Sequence, residues 1–383
     1  MMLPGKIVRT LLAALAALMV LLAAPTARAA ATPSEVDALI QLLISKGLLT
    51  VDEAASLRAD LAIQKQEEKD KQTQFPFVAG KAMQISGYTQ VRYREDPTIA
   101  DTFDIRRARL DIKGALGAGF DYRLQSEFAG SSAKVLDAAF GWTAGDELKL
   151  TAGQFLIPFS QENLRGNTKL ETINRSQVVE ALVARSKDVI GNHNGRDIGL
   201  QASGSFALFG TPGFLDYGVG IFNGAGMNTS DTNERKDFIG HVSVKPVEGF
   251  SFGGSVYSGR YTLASAPTRD DLRRRFGAEI AWEGGPFLVK GEYIRGNDGK
   301  VEKDGWYALA GWFVLPETIQ AVAKYDTFDP NRRTDSNDTD VTTLGLNWYF
   351  RKWAFLQLGY EFKHESGRKV ANDAATAQLT IQF

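Results

Sequence analysis

From Met83 to Phe383 apolar and polar residues alternate with a period of two, and before Met83 they do not. Ile85, Gly87, Thr89, Val91 and Tyr93 alternate with Ser86, Tyr88, Gln90, Arg92 and Arg94. Ala108, Leu110 and Ile112 alternate with Arg107, Arg109, Asp111 and Lys113, and then Phe120, Tyr122, Leu124 and Phe128 with Asp121, Arg123, Gln125 and Glu127. The same rhythm returns late, at Leu344, Leu346, Trp348 and Phe350, and closes on Leu379, Ile381 and Phe383. One face is apolar and the other carries full charges, which is what a strand exposed to two different media requires.

A soluble sandwich also alternates, so segment length and spacing must decide. The segments run about ten residues, the length of a tilted strand crossing a bilayer. Aromatics gather near segment ends, as at Tyr88 and Tyr93, Trp282 and Phe287, and Trp348 to Phe350, matching girdles at two interfaces. Connections alternate between short (Gly117–Gly119, Gly145–Glu147, Gly284–Pro286, Pro316–Glu317, Arg351–Lys352) and longer polar ones (Glu95–Thr102, Asn223–Arg235, Tyr261–Asp271, Asn297–Asp304, Asp329–Asp338, His364–Asn372). Outer-membrane barrels connect their strands in this way. The expected fold is therefore an all-β transmembrane barrel of about 16 antiparallel strands over residues 83–383. The strands would start near Met83, Asp104, Phe120, Lys134, Glu147, Arg196, Phe214, Lys236, Phe250, Arg273, Phe287, Gly305, Thr318, Thr339, Trp353 and Ala375. A barrel of this size encloses water rather than a packed core.

The leader has another character. Lys6 and Arg9, the apolar run Leu11 to Ala24 and Ala27-Arg28-Ala29 fit a signal peptide over residues 1–29, with an uncleaved anchor as the competing reading. Residues 30–72 read as a short periplasmic helical or coiled-coil segment. Ser34 is placed as an N-cap, and Thr50 with Glu53 has capping-box spacing. A solvated leader without a task is the plainer alternative. Residues 73–82 read as a linker.

Between the fifth and sixth strands, from Pro158 to Gly195, the alternation stops. A loop this long needs a purpose. With a short helix over Ser176 to Ser186, it would fold into the lumen and narrow it, carrying Arg165, Lys169, Arg175, Arg185 and Lys187 as constriction candidates. Packing over the mouth or onto a neighbouring subunit is the alternative.

Composition narrows the chemistry. The chain has no Cys, so disulfides, thiolate metal sites and Cys nucleophiles are excluded. A formal net charge of -1 argues against a nucleic-acid binder. Gly-x-Ser-x-Gly, the phosphate-cradling Gly-x4-Gly-Lys loop and His-Glu-x-x-His are all missing, and His193, His241 and His364 sit in no ligand motif. No catalytic group, cofactor or metal site is expected; the Asp335 to Asp340 cluster reads as a solvated turn. The chemistry is electrostatic. Arg92, Arg94, Arg107, Arg109, Lys113 and Arg123 share the inward face of the first three strands and would form a basic anion path. Asp111, Asp121, Glu127, Glu279, Glu292, Asp326 and Glu361 face inward by the same parity, so the basic bias belongs to one wall. Arg274, between Arg273 and Arg275, would point outward by parity and, above the apolar band, would meet lipopolysaccharide phosphates.

The stretch Asp104-Ile-Arg-Arg-Ala-Arg-Leu-Asp-Ile-Lys-Gly114, with Gln84-Ile-Ser-Gly-Tyr88, Tyr122-Arg-Leu-Gln-Ser-Glu-Phe128, Gly153-Gln-Phe-Leu-Ile-Pro-Phe159 and Gly195-Arg-Asp-Ile-Gly199, resembles the phosphate-selective porin family, porins O and P. The resemblance covers the whole barrel. It implies a passive outer-membrane porin, a homotrimer of sixteen-stranded barrels, passing small anions and especially phosphate or polyphosphate, with an arginine ladder to which Arg107, Arg109 and Arg123 lie in matching segments. The partners it implies are outer-membrane lipid and lipopolysaccharide, and the barrel assembly machinery through the terminal Phe383. The barrel departs from a strongly basic filter, with 36 basic against 37 acidic residues from Thr73 onward. A weakly selective general or organic-acid porin, and a structural barrel tethering the envelope through its leader, therefore stand as alternatives.

Overall fold

The computed structural model describes residues 83–263, 266–367 and 370–383, with Ile40, Lys46, Thr50 and Ala54 from the leader. The signal peptide, the helical segment and the linker expected over residues 1–82 lie outside the described residues, apart from those four positions. The chain separates into two compact units, Met1–Met83 with Gly114–Ala118, and Gln84–Lys113 with Gly119–Phe383. Of the first, Ile40 and Ala54 are buried.

The second unit holds the barrel, except for the strand end Gly114–Gly117. Its strands are β1 (Gln84–Glu95), β2 (Thr102–Gly117), β3 (Phe120–Glu127), β4 (Lys134–Gly145), β5 (Leu148–Leu156), β6 (Arg196–Leu208), β7 (Thr211–Phe222) and β8 (Asp237–Val247). They continue as β9 (Phe250–Leu263), β10 (Ala266–Gly284), β11 (Phe287–Asp298), β12 (Val301–Leu315), β13 (Ile319–Asp329), β14 (Thr339–Arg351), β15 (Ala354–Glu365) and β16 (Ala374–Gln382). Each strand neighbours the next, and β1 closes on β16. The closure is sealed at the last residue. Phe383 N donates to Gly87 O at 3.0 Å, and Gly87 N donates to Phe383 O at 2.9 Å. Closure leaves no unpaired edge, which a strand in hydrocarbon cannot tolerate.

The barrel is inside out relative to a soluble protein. Phe103, Ile105, Phe276, Ile280, Trp306 and Leu344 are exposed, while Arg273, Lys324, Asp326, Gln357 and Gln378 are buried. The period-two pattern causes this: in each strand one parity meets lipid and the other meets the interior.

Two expected connections are not loops. The stretches read as Tyr261–Asp271 and Asn297–Asp304 are mostly strand: β9 runs to Leu263, β10 begins at Ala266, and β11 and β12 meet across Gly299 and Lys300. Strands β10 and β12 therefore start before the expected Arg273 and Gly305. Most of their extra residues are charged or polar, among them Asp270, Asp271, Glu302, Lys303 and Asp304. Beyond the apolar band both faces of a hairpin meet water, so polarity there does not interrupt the ladder.

Candidate functional site

The longest connection, Ile157–Gly195, departs from the strand period because it is not a strand. It holds α1 (Gln161–Leu164), a turn of 3-10 helix at Asn167–Lys169, and α2 (Gln177–Leu182). The expected helix over Ser176 to Ser186 is thus confined to its first half. Ser160 caps α1: its Oγ accepts from Asn163 N at 3.2 Å and donates to Glu292 Oε2 on β11 at 3.0 Å. Gly195 closes the loop at φ 71°, and a Cβ there would lie 1.9 Å from Asn163 Oδ1. Only glycine fits that approach.

The loop turns inward and seats on one wall. Ile157, Phe159, Val178, Val179, Leu182 and Val183 form one buried cluster with Phe222 of β7, Ile239 of β8, Tyr257 of β9, Ile294 of β11 and Phe328 of β13. Those five wall residues occupy the inward parity, where a water-filled barrel would carry polar groups. Each fully buried side chain of this size contributes about 2 kcal/mol to holding the loop. A buried ionic latch adds direction. Asp188 meets Arg273 at 2.8 Å, and Arg275 bridges from Asp188, at 4.0 Å, to Asp298 at 2.5 Å. Burial would raise the Asp188 carboxyl, but Arg273 and Arg275 more than offset this and hold it below the usual carboxylate range.

The loop also reaches the opposite wall, through polar contacts. Arg106 of β2 donates to Ile173 O and Asn174 Oδ1, both at 2.8 Å, and Asn167 Nδ2 donates to Tyr88 OH of β1 at 3.1 Å. Between the loop and strands β6 to β12 lies a cavity of about 560 Å³, whose lining includes Glu162, Arg165, Lys169, His241, Glu279 and Lys290. Its charges are largely internally paired, as in Lys290 with Glu171 and Glu283.

The residues expected to line an anion path divide into two groups. Arg92 pairs with Asp104, Arg109 with Glu127, and Arg123 with Asp111 and Asp137. Arg107, half-buried, has one hydrogen-bond partner among the described residues, the neutral Gln90 Oε1 at 2.6 Å. The Nε of Arg94 is buried without a hydrogen-bond partner among the described residues, and Lys113 is exposed. On the loop, Arg165 pairs with Glu171 and Glu283. Lys169 and Lys187 are exposed. Arg175 is buried against three neutral acceptors: Glu162 O, Asn167 Oδ1 and Arg165 O. Arg185 is buried against Asn163 Oδ1. Burial pushes the Arg175 guanidinium below its ordinary value, against the pull of Glu162 and Glu180. It does the same to Arg185, reinforced by repulsion from Arg175 and opposed by Glu180.

Strict alternation missed Arg106. The pairing of β1 with β2 slips between Gln90 and Val91, so that Gln90 faces Arg107 while Val91 faces Ile105. Arg106 is the extra residue of this bulge, and it turns inward beside Arg107 instead of into lipid. The signal was present in Ile105-Arg106-Arg107-Ala108: two adjacent arginines cannot alternate faces in a bilayer without placing one in hydrocarbon. Arg106, Arg107, Arg109 and Arg175 lie within electrostatic reach of one another. Of the four, only Arg109 has a carboxylate in salt-bridge contact among the described residues.

A family model described as phosphate-selective porin O and P matches residues 83–263 and 254–383. An uncharacterized protein of Aquifex aeolicus (strain VF5) is 23% identical over 322 residues, 69% of this chain and 71% of that one. The outer membrane channel DcaP of Acinetobacter baumannii superposes with a TM-score of 0.57 at 12% identity, over 80% of this chain and 98% of that chain. The trimer form of OmpT, an outer membrane protein of Vibrio cholerae, gives 0.56 at 11% identity, over 79% and 99%. At these identities the likeness to solved structures concerns the fold.

Proposed function

The chain belongs to the phosphate-selective porin O and P family, and from that premise we propose that its outer-membrane channel prefers anions, with phosphate or polyphosphate as the solute class. The observation that carries this reading is the group Arg106, Arg107 and Arg175, which has only neutral hydrogen-bond partners among the described residues. A desolvated guanidinium without a carboxylate gains more from a passing anion than one already paired. Its planar fork suits the paired oxygens of a phosphate. The loop Ile157–Gly195 narrows the path and holds Arg175 opposite β2. Arg92, Arg109 and Arg123 serve this path as members of ion pairs, so they shape its wall more than they attract solute. The assembly is proposed as a homotrimer, and the helical leader as periplasmic.

A second reading has its own support. Most inward arginines of β1 to β6, Arg196 with Asp137 included, are already neutralised. That favours a weakly selective pore that also passes organic acids. The zero-current potential under a salt gradient, followed by phosphate titrated into chloride, separates the two. An anion-selective potential with block at low phosphate supports the filter. A potential near zero, with no block, leaves the general porin.

A further inference from the structure

The lipid-facing parity also carries arginines, three of them on neighbouring strands. Outward positions of β10 read Asp270, Leu272, Arg274, Phe276, Ala278, Ile280 and Trp282. Phe276, Ile280 and Trp282 are exposed. From Phe276 to Gly284 the strand advances eight steps, which at ordinary rise and tilt span roughly 20 Å, most of the height of the apolar band. Arg274 is the first outward residue beyond that band.

The register brings two more guanidiniums alongside. Arg274 lies opposite Ser258 of β9, and Arg260, two residues on, shares the face. Arg274 also lies opposite Asn297 of β11, and Arg295, two residues back, opposes Phe276. Such diagonal neighbours sit about 7–8 Å apart. The carboxylates nearby have partners of their own, Asp304, opposite Arg295, being held by Tyr293 OH at 2.9 Å and by Arg332 at 3.4 Å. Glu302 pairs with Arg295, and Asp270 accepts from Thr262 while its carbonyl accepts from Arg260 at 3.4 Å. The Arg274 side chain is exposed and makes no ion pair or hydrogen bond among the described residues. This patch lies at the end where the odd-numbered strands hand over to the even-numbered ones, the end of the long loop Ile157–Gly195. In outer-membrane barrels the longer loops face the cell exterior.

We propose that Arg274, flanked by Arg260 and Arg295, binds a phosphate of the phosphorylated glycolipid in the outer leaflet, lipid A being the probe. The apolar band below the patch, with Phe276 and Val256, receives the acyl chains while the guanidiniums take the headgroup oxygens. The requirement is geometric: a cation without a partner at the headgroup level, on a surface whose next residues are hydrocarbon-facing. The patch is outside the lumen and does not depend on which solute the channel prefers.

The test uses the full oligomer in detergent, with bis-phosphorylated lipid A added and bound lipid counted by native mass spectrometry. Arg274→Ala is expected to weaken retention by about tenfold, as for loss of one charge-assisted hydrogen bond. Arg274→Lys is expected to keep part of it, and lipid A stripped of phosphate should bind the wild type no better than the variant. Channel conductance and its ion preference should be unchanged in Arg274→Ala. Equal retention by wild type and Arg274→Ala overturns the proposal. So does displacement of the lipid by inorganic phosphate at matched concentration together with a changed phosphate block, which would make the patch a solute site.

Discussion

The two walls of the lumen use the same strand geometry for opposite purposes. On β1 to β6 the interior face is polar: Arg92, Arg94, Arg106, Arg107, Arg109, Arg123 and Arg196 face the interior, and four of the seven are ion-paired among the described residues. On β7 to β13 the inward parity includes Phe222, Ile239, Tyr257, Ile294 and Phe328, which form an apolar seat for the long loop. A barrel strand needs lipid outside, but it does not need water inside. Where a loop occupies the interior, the inward face becomes an ordinary protein core. On the proposed reading the solute follows the first wall, because the loop packs its apolar residues against the second.

Unseating the loop is the strongest way to break that asymmetry. Leu182→Asp places a carboxylate in the apolar cluster, where burial without a partner costs several kcal/mol. The ladder of sixteen strands is untouched, so the barrel should still fold. Single-channel conductance should rise several-fold and anion preference should fall, because Arg175 and Arg185 leave with the loop. A folded variant conducting like wild type would show that the loop does not set the pore.

The next comparison lies within the basic wall. Arg109→Gln leaves Glu127 buried, although the backbone of Ala108 and Ala129 still donates to it. Breaking such a buried pair costs about 3–5 kcal/mol, so the temperature at which the oligomer loses its heat-resistant gel mobility should drop clearly. Arg107→Gln loses one hydrogen bond to Gln90, about 1 kcal/mol, yet it should shift the zero-current potential towards cations more than Arg109→Gln does. If the two variants move selectivity equally, pairing does not separate wall from path.

Much of this was legible in the sequence, for a physical reason. Bilayer-facing residues must be apolar at every second position, so the count of sixteen strands and most of their starts follow from parity, and the break in parity at Pro158 to Gly195 marks the loop. The apolar seat was not legible: Ile239 or Ile294 on the inward parity reads as noise until the loop is known to cover it. Nor was the pairing of Arg109 with Glu127, which depends on register between strands. Arg106 was hidden by a single bulge, and Arg273 with Arg275 looked like loop-end charges because nothing in sequence links them to Asp188.

Acid provides a gentler probe of the covered wall. Asp188 lies below the usual carboxylate range in the folded protein, held there by Arg273 and Arg275. A depressed carboxylate stabilises the seated loop above its unfolded value of about 3.9. That contribution is lost as pH falls through the lower folded value. Current noise should therefore stay quiet from neutral pH down to about 4 and grow below it. Asp188→Asn should show the same noise at pH 7. Quiet currents from this variant at neutral pH would place the latch elsewhere.

The smallest effect is expected at Arg123, where the basic wall is open to solvent. Its side chain is 43% exposed, and its partners are Asp111 at 2.7 Å and Asp137 at 3.3 Å. Asp137 keeps Arg196 whether or not Arg123 is present. Exposed pairs of this kind contribute about 0–1 kcal/mol, so Arg123→Gln should leave thermal stability almost unchanged. It uncovers Asp111, and the zero-current potential should move slightly towards cations at low salt. At 1 M salt the screening length is about 3 Å, and the difference should vanish. The shift from Arg107→Gln should survive the same salt, because that guanidinium is half-buried and its field passes through protein as well as water. A shift at Arg123 that persists in 1 M salt would put solute on the paired arginines too, and the wall would then act as one continuous path.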